Sequence, residues 1–416
     1  MSFSGIFMGL LVDRYNRKWL LVICSFVWST CTFCTGYFKP FWALLLARFF
    51  LGVFESVCNP AAYSLIRDYF PPSHRARANA IYSSGIYVGS AISSISIVLI
   101  NAFTWRGSFM VTGTIGMVFS VLALFVLREP PRPSPPAPKK TEEKEETEPL
   151  FNTPKSPEPP KKPGCGDFIR GFGKATKELV SNPTSRYCLI GSALRFFGGY
   201  SLAFYLPIYF QHIYTSYDKQ FGVLNAVMAS ILAFLSALSG GILSDMYHSK
   251  TYMAKSYICI LSSVLAAPPM ALCCIIQDKF YLSISMLGLN YLFAEAWGSP
   301  AITMLQDSVD PSMIGFCISA FMFFNTMAGM FATFALGEIQ QWMDAENNLS
   351  VYGNTLFLFL MISYIGCCPF YYLAGVHYSK FMDAIAFEKD LMEKAEEEGL
   401  DTIHEGDSMD EVESVQ

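Results

Sequence analysis

Gly9-Leu10-Leu11-Val12-Asp13-Arg14-Tyr15-Asn16-Arg17-Lys18 closes one apolar run, and Gly241-Ile242-Leu243-Ser244-Asp245-Met246-Tyr247-His248-Ser249-Lys250 closes another. The glycine, the acid four residues on and the final lysine recur in the same order. A second set keeps nearly the same offset: Glu55, Pro60 and Pro71 return as Glu295, Pro300 and Pro311. Two coincidences at such similar spacing mark a duplicated bundle. Internal repeats of this kind are the common blueprint of secondary transporters, whose substrate site lies between the repeats.

Composition agrees. Apolar residues make up 52% of the 416, charged residues only 15%, and mean hydropathy is +0.35. Ten apolar windows are long enough to cross a ~30 Å hydrocarbon layer: residues 19–38, 41–61, 78–103, 108–127, 187–209, 221–243, 252–276, 282–304, 316–339 and 352–375. Residues 2–12 form a shorter apolar piece without the charged start or cleavage site of a signal peptide. The expected fold class is an all-α membrane protein: two bundles in a 6+6 pseudo-repeat, here with ten full spans and a partial one. Residues 1–127 and 187–378 are the expected bundles, 128–186 the linker and 379–416 a tail.

The net charge of −5 conceals an asymmetry, because the tail from Lys380 holds 13 acidic and 3 basic residues. The remainder is net positive, and its Lys and Arg gather in alternate loops: Arg14, Arg17 and Lys18, then Arg67, Arg75 and Arg77, then Lys250 and Lys255. The positive-inside rule places these loops, the linker and the tail in the cytosol. It leaves the Asn348-Leu349-Ser350 sequon on the opposite side. The linker's Pro, Lys and Glu blocks predict disorder, with a short amphipathic helix on the membrane face over 168–180. The twelve cysteines lie almost entirely within spans and read as small buried hydrophobes, so no disulfide framework, metal site or cofactor is expected. No phosphate-binding loop or nucleophile elbow points to ATP-driven transport or hydrolysis. The protein reads as neither an enzyme nor a nucleic-acid binder.

Each motif has a physical rationale. Gly9 and Gly241 allow close helix contact. Asp13 and Asp245, at helix ends, can pair with Arg or cap a neighbouring helix, and with Arg14 and Arg17 they form a conformational latch. Arg48 and Glu55 are seven apart, hence on one helix face and ~10 Å apart along it. A charge at the bilayer centre is costly unless paired or hydrated. Arg48 therefore reads as a fork for a phosphate or carboxylate and Glu55 as a proton carrier, the alternative being an internal pair that holds helices together. Glu295 is the counterpart of Glu55. Arg195, in Leu194-Arg195-Phe196-Phe197-Gly198-Gly199-Tyr200, either recognises an anion or partners Glu295. Asn59 and Tyr200 complete the substrate-binding candidates. Asn290, Gln306 and Asn325 read as interhelical hydrogen-bonding residues, and Gly85 with Gly89 as a packing seam.

Here the chain resembles the major facilitator superfamily, whose signature loop reads much like Gly9–Lys18. It is similar within it to the spinster-like lysolipid and sphingolipid transporters, on Arg48-Phe49-Phe50-Leu51-Gly52-Val53-Phe54-Glu55, Val88-Gly89-Ser90, Trp105-Arg106 and Arg128-Glu129-Pro130-Pro131-Arg132. Phe54 departs from that family's second glycine. The resemblance implies alternating-access transport of a small amphiphile or organic anion, with a lysophospholipid or sphingoid phosphate as cargo. It implies coupling to protons or another ion, membrane lipids as surroundings, a monomer, and a lysosomal, endosomal or plasma membrane. Counted from the motif loop, the family's first helix, with its acidic residue, is missing here. The expected reason is a truncated sequence, the alternative a degenerate relative. A sugar or organic-acid carrier, and a non-transporting scaffold or receptor, are the rival readings.

Overall fold

The computed structural model describes residues 2–94, 96–130, 173, 176–345 and 348–397. Thirteen α-helices carry these residues: α1 (Ser2–Arg14), α2 (Arg17–Tyr37), α3 (Phe41–Glu55), α4 (Cys58–Tyr69), α5 (Pro72–Ser94), α6 (Ser96–Val126), α7 (Pro183–Ile213), α8 (Asp218–His248), α9 (Ala254–Ile275), α10 (Phe280–Ala294), α11 (Gly298–Ser308), α12 (Ile314–Trp342) and α13 (Leu349–Glu397). Among the described residues there is no strand.

Local chemistry sets the helix ends. Asn16 caps α2, its side chain accepting from the Trp19 N–H at 3.1 Å. Asn182 caps α7 by accepting from Thr184 and Ser185, with Pro183 in the first turn, where it forfeits no helical bond. Two breaks match one another. α3 gives way to α4 at Ser56-Val57, and α10 to α11 at Glu295-Ala296-Trp297. Pro60 and Pro300 lie just beyond. Each lacks the N–H that would reach the carbonyl four residues back, Ser56 or Ala296, so each interrupts the helix there. The duplicated glutamates thus stand at duplicated helix breaks.

Among the described residues, eight helical stretches are long and apolar enough to cross a membrane. They correspond to eight of the ten expected windows. The other two differ for visible reasons. Window 282–304 is cut by the break at Glu295, and window 78–103 is shared between α5 and the start of α6, which turns at Thr104 (φ 64°). The outer surface suits lipid: Ile115, Phe119, Leu122 and Phe125 form an exposed stripe on α6 at three- and four-residue steps.

Two seams join the halves of the sequence. α1 packs on α12, and α8 packs on α5. A Cβ on Gly9 would lie 2.6 Å from the Gly315 carbonyl, and one on Gly241 would lie 2.6 Å from the Ala76 carbonyl. Neither contact tolerates a side chain. Gly85 and Gly89, expected to form a packing seam, face open space instead. Most of the linker lies outside the described residues. Of the expected 168–180 helix, residues 176–180 are helical, with Leu179 buried in a cluster that holds Ile302, Leu305 and Phe316, and Lys177 and Val180 exposed. The tail continues α13 as far as Glu397.

Candidate functional site

The duplicated aspartates each bond to backbone N–H groups of the opposite half. Asp13, at the end of α1, accepts from the Gly315 and Phe316 N–H groups at 2.7 and 2.9 Å, in the first turn of α12, where it meets the partial positive charge of a helix start. Asp245, at the end of α8, accepts from Ala76 at 3.3 Å and Arg77 at 2.7 Å, the fifth and sixth residues of α5. Of the expected latch residues, the aspartates are the ones whose side chains bond across the seam. The arginines do not cross the seam. Buried Arg17 braces its own half, with Asp68 at 2.5 Å and Glu129 at 2.9 Å. Arg14 is exposed and has no ion-pair partner among the described residues.

From this end a polar ladder descends between α5 and the α10–α11 pair. Arg75 forms an ion pair with Asp307. Asn79 donates to Thr303 at 2.8 Å and Gln306 at 2.6 Å. At the third step Ser299 donates to the Ala76 carbonyl instead of meeting Ser83. Tyr87 donates to Glu295 Oε2 at 2.7 Å. The steps are four residues on each helix, running antiparallel, and cover ~18 Å of the ~30 Å apolar thickness. At the first rung Asp307 also takes Lys255 Nζ at 2.9 Å and the Tyr378 hydroxyl at 2.7 Å. Lys255 is fully buried and Asp307 3% exposed. Asp307 lies past the apolar window ending at residue 304. Burial pushes its carboxyl up, but Lys255 and Arg75 outweigh that and hold it below the usual carboxylate range.

At mid-depth the second break gathers polar groups. Arg195, 5% exposed, donates to the carbonyl of Ala294, the last residue of α10. Its guanidinium lies 4.5 Å from the Tyr364 ring centroid and 5.5 Å from that of Trp297. No carboxylate pairs with it among the described residues, and its buried Nε has no partner. The expected Arg195–Glu295 pair is therefore replaced by Arg195–Ala294 and Tyr87–Glu295. Asn290 bonds between helices as expected, to Ala266 O at 2.9 Å and Tyr364 at 3.0 Å. Gln306 does likewise, to Tyr63 O at 2.9 Å. Asn325 does not: it is fully buried and neither amide atom has a partner.

The remaining candidates lie apart from this group. Arg48 is exposed, with its guanidinium 4.7 Å from the Phe109 ring centroid. It forms no ion pair with Glu55, which is half-buried at the end of α3. Asn59 accepts from the Tyr82 hydroxyl at 2.9 Å. Tyr200 lines a cavity of about 710 Å³ between α7 and α12, with Phe204, Tyr205, Met330, Phe334 and Glu338. Sequence reading missed Asn79, Tyr87, Asp307 and Tyr378. A signal existed for the first two: Arg75, Asn79, Ser83 and Tyr87 form a four-residue polar stripe.

Residues 1–333 match the model of the Major Facilitator Superfamily. The chain is similar to a probable galactarate/D-glucarate transporter of Escherichia coli, 23% identical over 374 residues that cover 86% of this chain and 81% of the relative. It is 27% identical over 275 residues to protein spinster homolog 1 of Xenopus tropicalis, covering 62% of this chain and 48% of the relative. Among solved structures, the E. coli fucose:proton symporter has a TM-score of 0.60 at 11% identity, covering 88% of this chain and 86% of that one. A bacterial homolog of the human lysosomal transporter Spinster, inward-facing and unoccupied, has a TM-score of 0.52 at 20% identity, covering 91% and 86%. These two structures speak to fold alone.

Proposed function

Because the chain belongs to the Major Facilitator Superfamily, we propose that it carries a small organic anion or anionic amphiphile across a membrane by alternating access. One observation carries the reading: Arg195 is a buried guanidinium with no carboxylate in ion-pair contact among the described residues, and its Nε is unspent. A buried cation is costly unless compensated, and a substrate carboxylate or phosphate would complete it through charge-assisted bonds. Arg48, also without an ion pair, would meet the same group on its path. Asn59 and Tyr200 would line that path.

The relatives support the anion class, since one is named for two sugar diacids. A lysophospholipid or sphingoid phosphate is the second reading, favoured by the aromatic lining of the α7–α12 cavity. Glu55 and Glu295 at the two helix breaks would exchange protons. The basic loops, linker and tail would face the cytosol, in a lysosomal, endosomal or plasma membrane, with the protein acting as a monomer. Residues 1–127 and 187–378 would be the two moving bundles.

Uptake into proteoliposomes tests this, with labelled galactarate and lysophosphatidate offered with and without a pH gradient. Wild type takes up one of them, and Arg195→Gln loses at least tenfold in uptake while keeping its melting temperature. Unchanged uptake by the variant would remove Arg195 from the substrate path. A preference for neutral sugars would favour the sugar carrier, and no flux of any solute would favour the scaffold.

A further inference from the structure

Along the α7–α12 seam the small residues of one helix seat the large rings of the other. Gly329, Thr333 and Gly337 follow at four-residue steps on α12. A Cβ on Gly329 would lie 2.6 Å from the Tyr200 ring, and one on Gly337 would collide with the Tyr205 hydroxyl. That hydroxyl donates to the Thr333 carbonyl at 3.0 Å, and the Thr333 hydroxyl to the Gly329 carbonyl at 3.0 Å. Both tyrosines are thus fixed against α12, and both border the cavity of about 710 Å³. Met330 and Phe334 line it too and are 54% and 67% exposed, so its apolar surface is open to a ligand. From Thr326 to Gln341 the lining follows about four turns of α12, ~22 Å.

The charge in this cavity has one sign. Glu338 lies in the last two turns of α12, at the end away from the basic loops, and no Lys, Arg or His lines the cavity with it. Among the described residues Glu338 has neither an ion pair nor a hydrogen bond. A phosphate or carboxylate beside it would meet like charge, and Arg195 is not among the lining residues. Rings with a carboxylate at one end suit a cation instead. The ring faces attract an ammonium group, and the carboxylate neutralises it.

We propose that the α7–α12 cavity is a binding site for a cationic amphiphile, an amine or quaternary ammonium with an apolar tail, separate from the anion path at Arg195. The head lies against Glu338 and the Tyr205 ring. The tail follows Phe204, Phe334 and Tyr200 towards mid-depth. The site depends neither on the identity of a transported anion nor on transport itself.

The test is binding of radiolabelled decyltrimethylammonium to the full chain in lipid nanodiscs, measured against empty nanodiscs of the same lipid. Unlabelled decylamine, decyl sulfate and decanol compete with it, sharing its tail and differing in charge. Binding saturates, decylamine displaces it, and the sulfate and the alcohol compete at least tenfold less well. Glu338→Gln weakens binding about tenfold while keeping its melting temperature, the low end for loss of a contact to a charged group. Phe334→Ala, at an exposed position, weakens it as well. Decyl sulfate competing as well as decylamine, no binding beyond that of empty nanodiscs, or wild-type affinity in Glu338→Gln would overturn the proposal. Displacement by galactarate would overturn the separation of the two sites. Charge selectivity is read on the wild-type chain, so a variant that fails to fold leaves the test intact. If no labelled anion is taken up while the amine binds as expected, the transport reading fails and this site stands.

Discussion

Replacing Asp307 with Asn should destabilise the protein by about 3–5 kcal/mol, the usual cost of removing one member of a buried charge pair. The geometry supports the upper part of that range. Asp307 serves two cations at once, and Lys255 beside it is fully buried. In Asp307→Asn, Lys255 loses its counter-charge and keeps only neutral acceptors, the Tyr378 hydroxyl and the amide oxygen, whereas Arg75 still has the Arg67 and Phe70 carbonyls at 3.0 and 3.2 Å. Lys255 is therefore the stranded group, and adding Lys255→Met should recover at least half of the loss. Thermal unfolding followed with a thiol-reactive dye suits this protein, since most of the eleven described cysteines are buried and all are free. A midpoint on the order of 10 °C below wild type is expected for the single variant. The pH dependence has a definite sign. The folded carboxyl titrates below its unfolded value, so its stabilisation is complete above about pH 4. It fades as pH falls further, and the gap between wild type and Asp307→Asn should close with it. A single variant within about 2 °C of wild type, or a double variant no better than the single, would refute the argument.

Three further outcomes follow from the same contacts. Gly9→Val and Gly241→Val should each separate the halves and raise maleimide labelling at the basic-loop end, because a Cβ at either position meets a backbone carbonyl; unchanged labelling would mean that the seams yield easily. Asp13→Ala should cost about 1 kcal/mol, the value of a helix cap, and Asp245→Ala about as much for its hydrogen bonds to α5, read as a lower melting temperature; a loss several times larger would mean that they do more than bond these N–H groups. Arg17→Ala should lower the melting temperature and Arg14→Ala should not, since only Arg17 is buried in ion pairs; equal effects would contradict that assignment.

The repeat was legible in the sequence because its parts are local: a glycine, an acid and a proline keep their meaning wherever the chain runs. The helix breaks at Glu55 and Glu295 were prefigured by Pro60 and Pro300, whose missing N–H acts within one turn. The partners were not legible. Hydropathy says that Arg195 needs compensation but not whether Glu295 or the Ala294 carbonyl provides it, because that depends on which way a broken helix turns. Asp307 sits where an apolar window ends, and only the packing of α5, α9 and α13 around it turns a polar helix end into a three-sided charge cluster. Gly85 and Gly89 misled for the converse reason: small residues permit a close approach without requiring one.

The reciprocal contacts of Asp13 and Asp245 bear on what opening the seam would cost, beside the Arg75–Asp307 ion pair that also joins the halves. Separating the halves strips the first turn of α12 and the Ala76 and Arg77 N–H groups of α5 of their carboxylates, at about 1 kcal/mol apiece. Two such losses shift a conformational ratio by roughly thirtyfold, which a ligand that distinguishes the two conformations by a similar factor reverses. Duplication has left each half lending the other a carboxylate, in a contact small enough to be given up and regained.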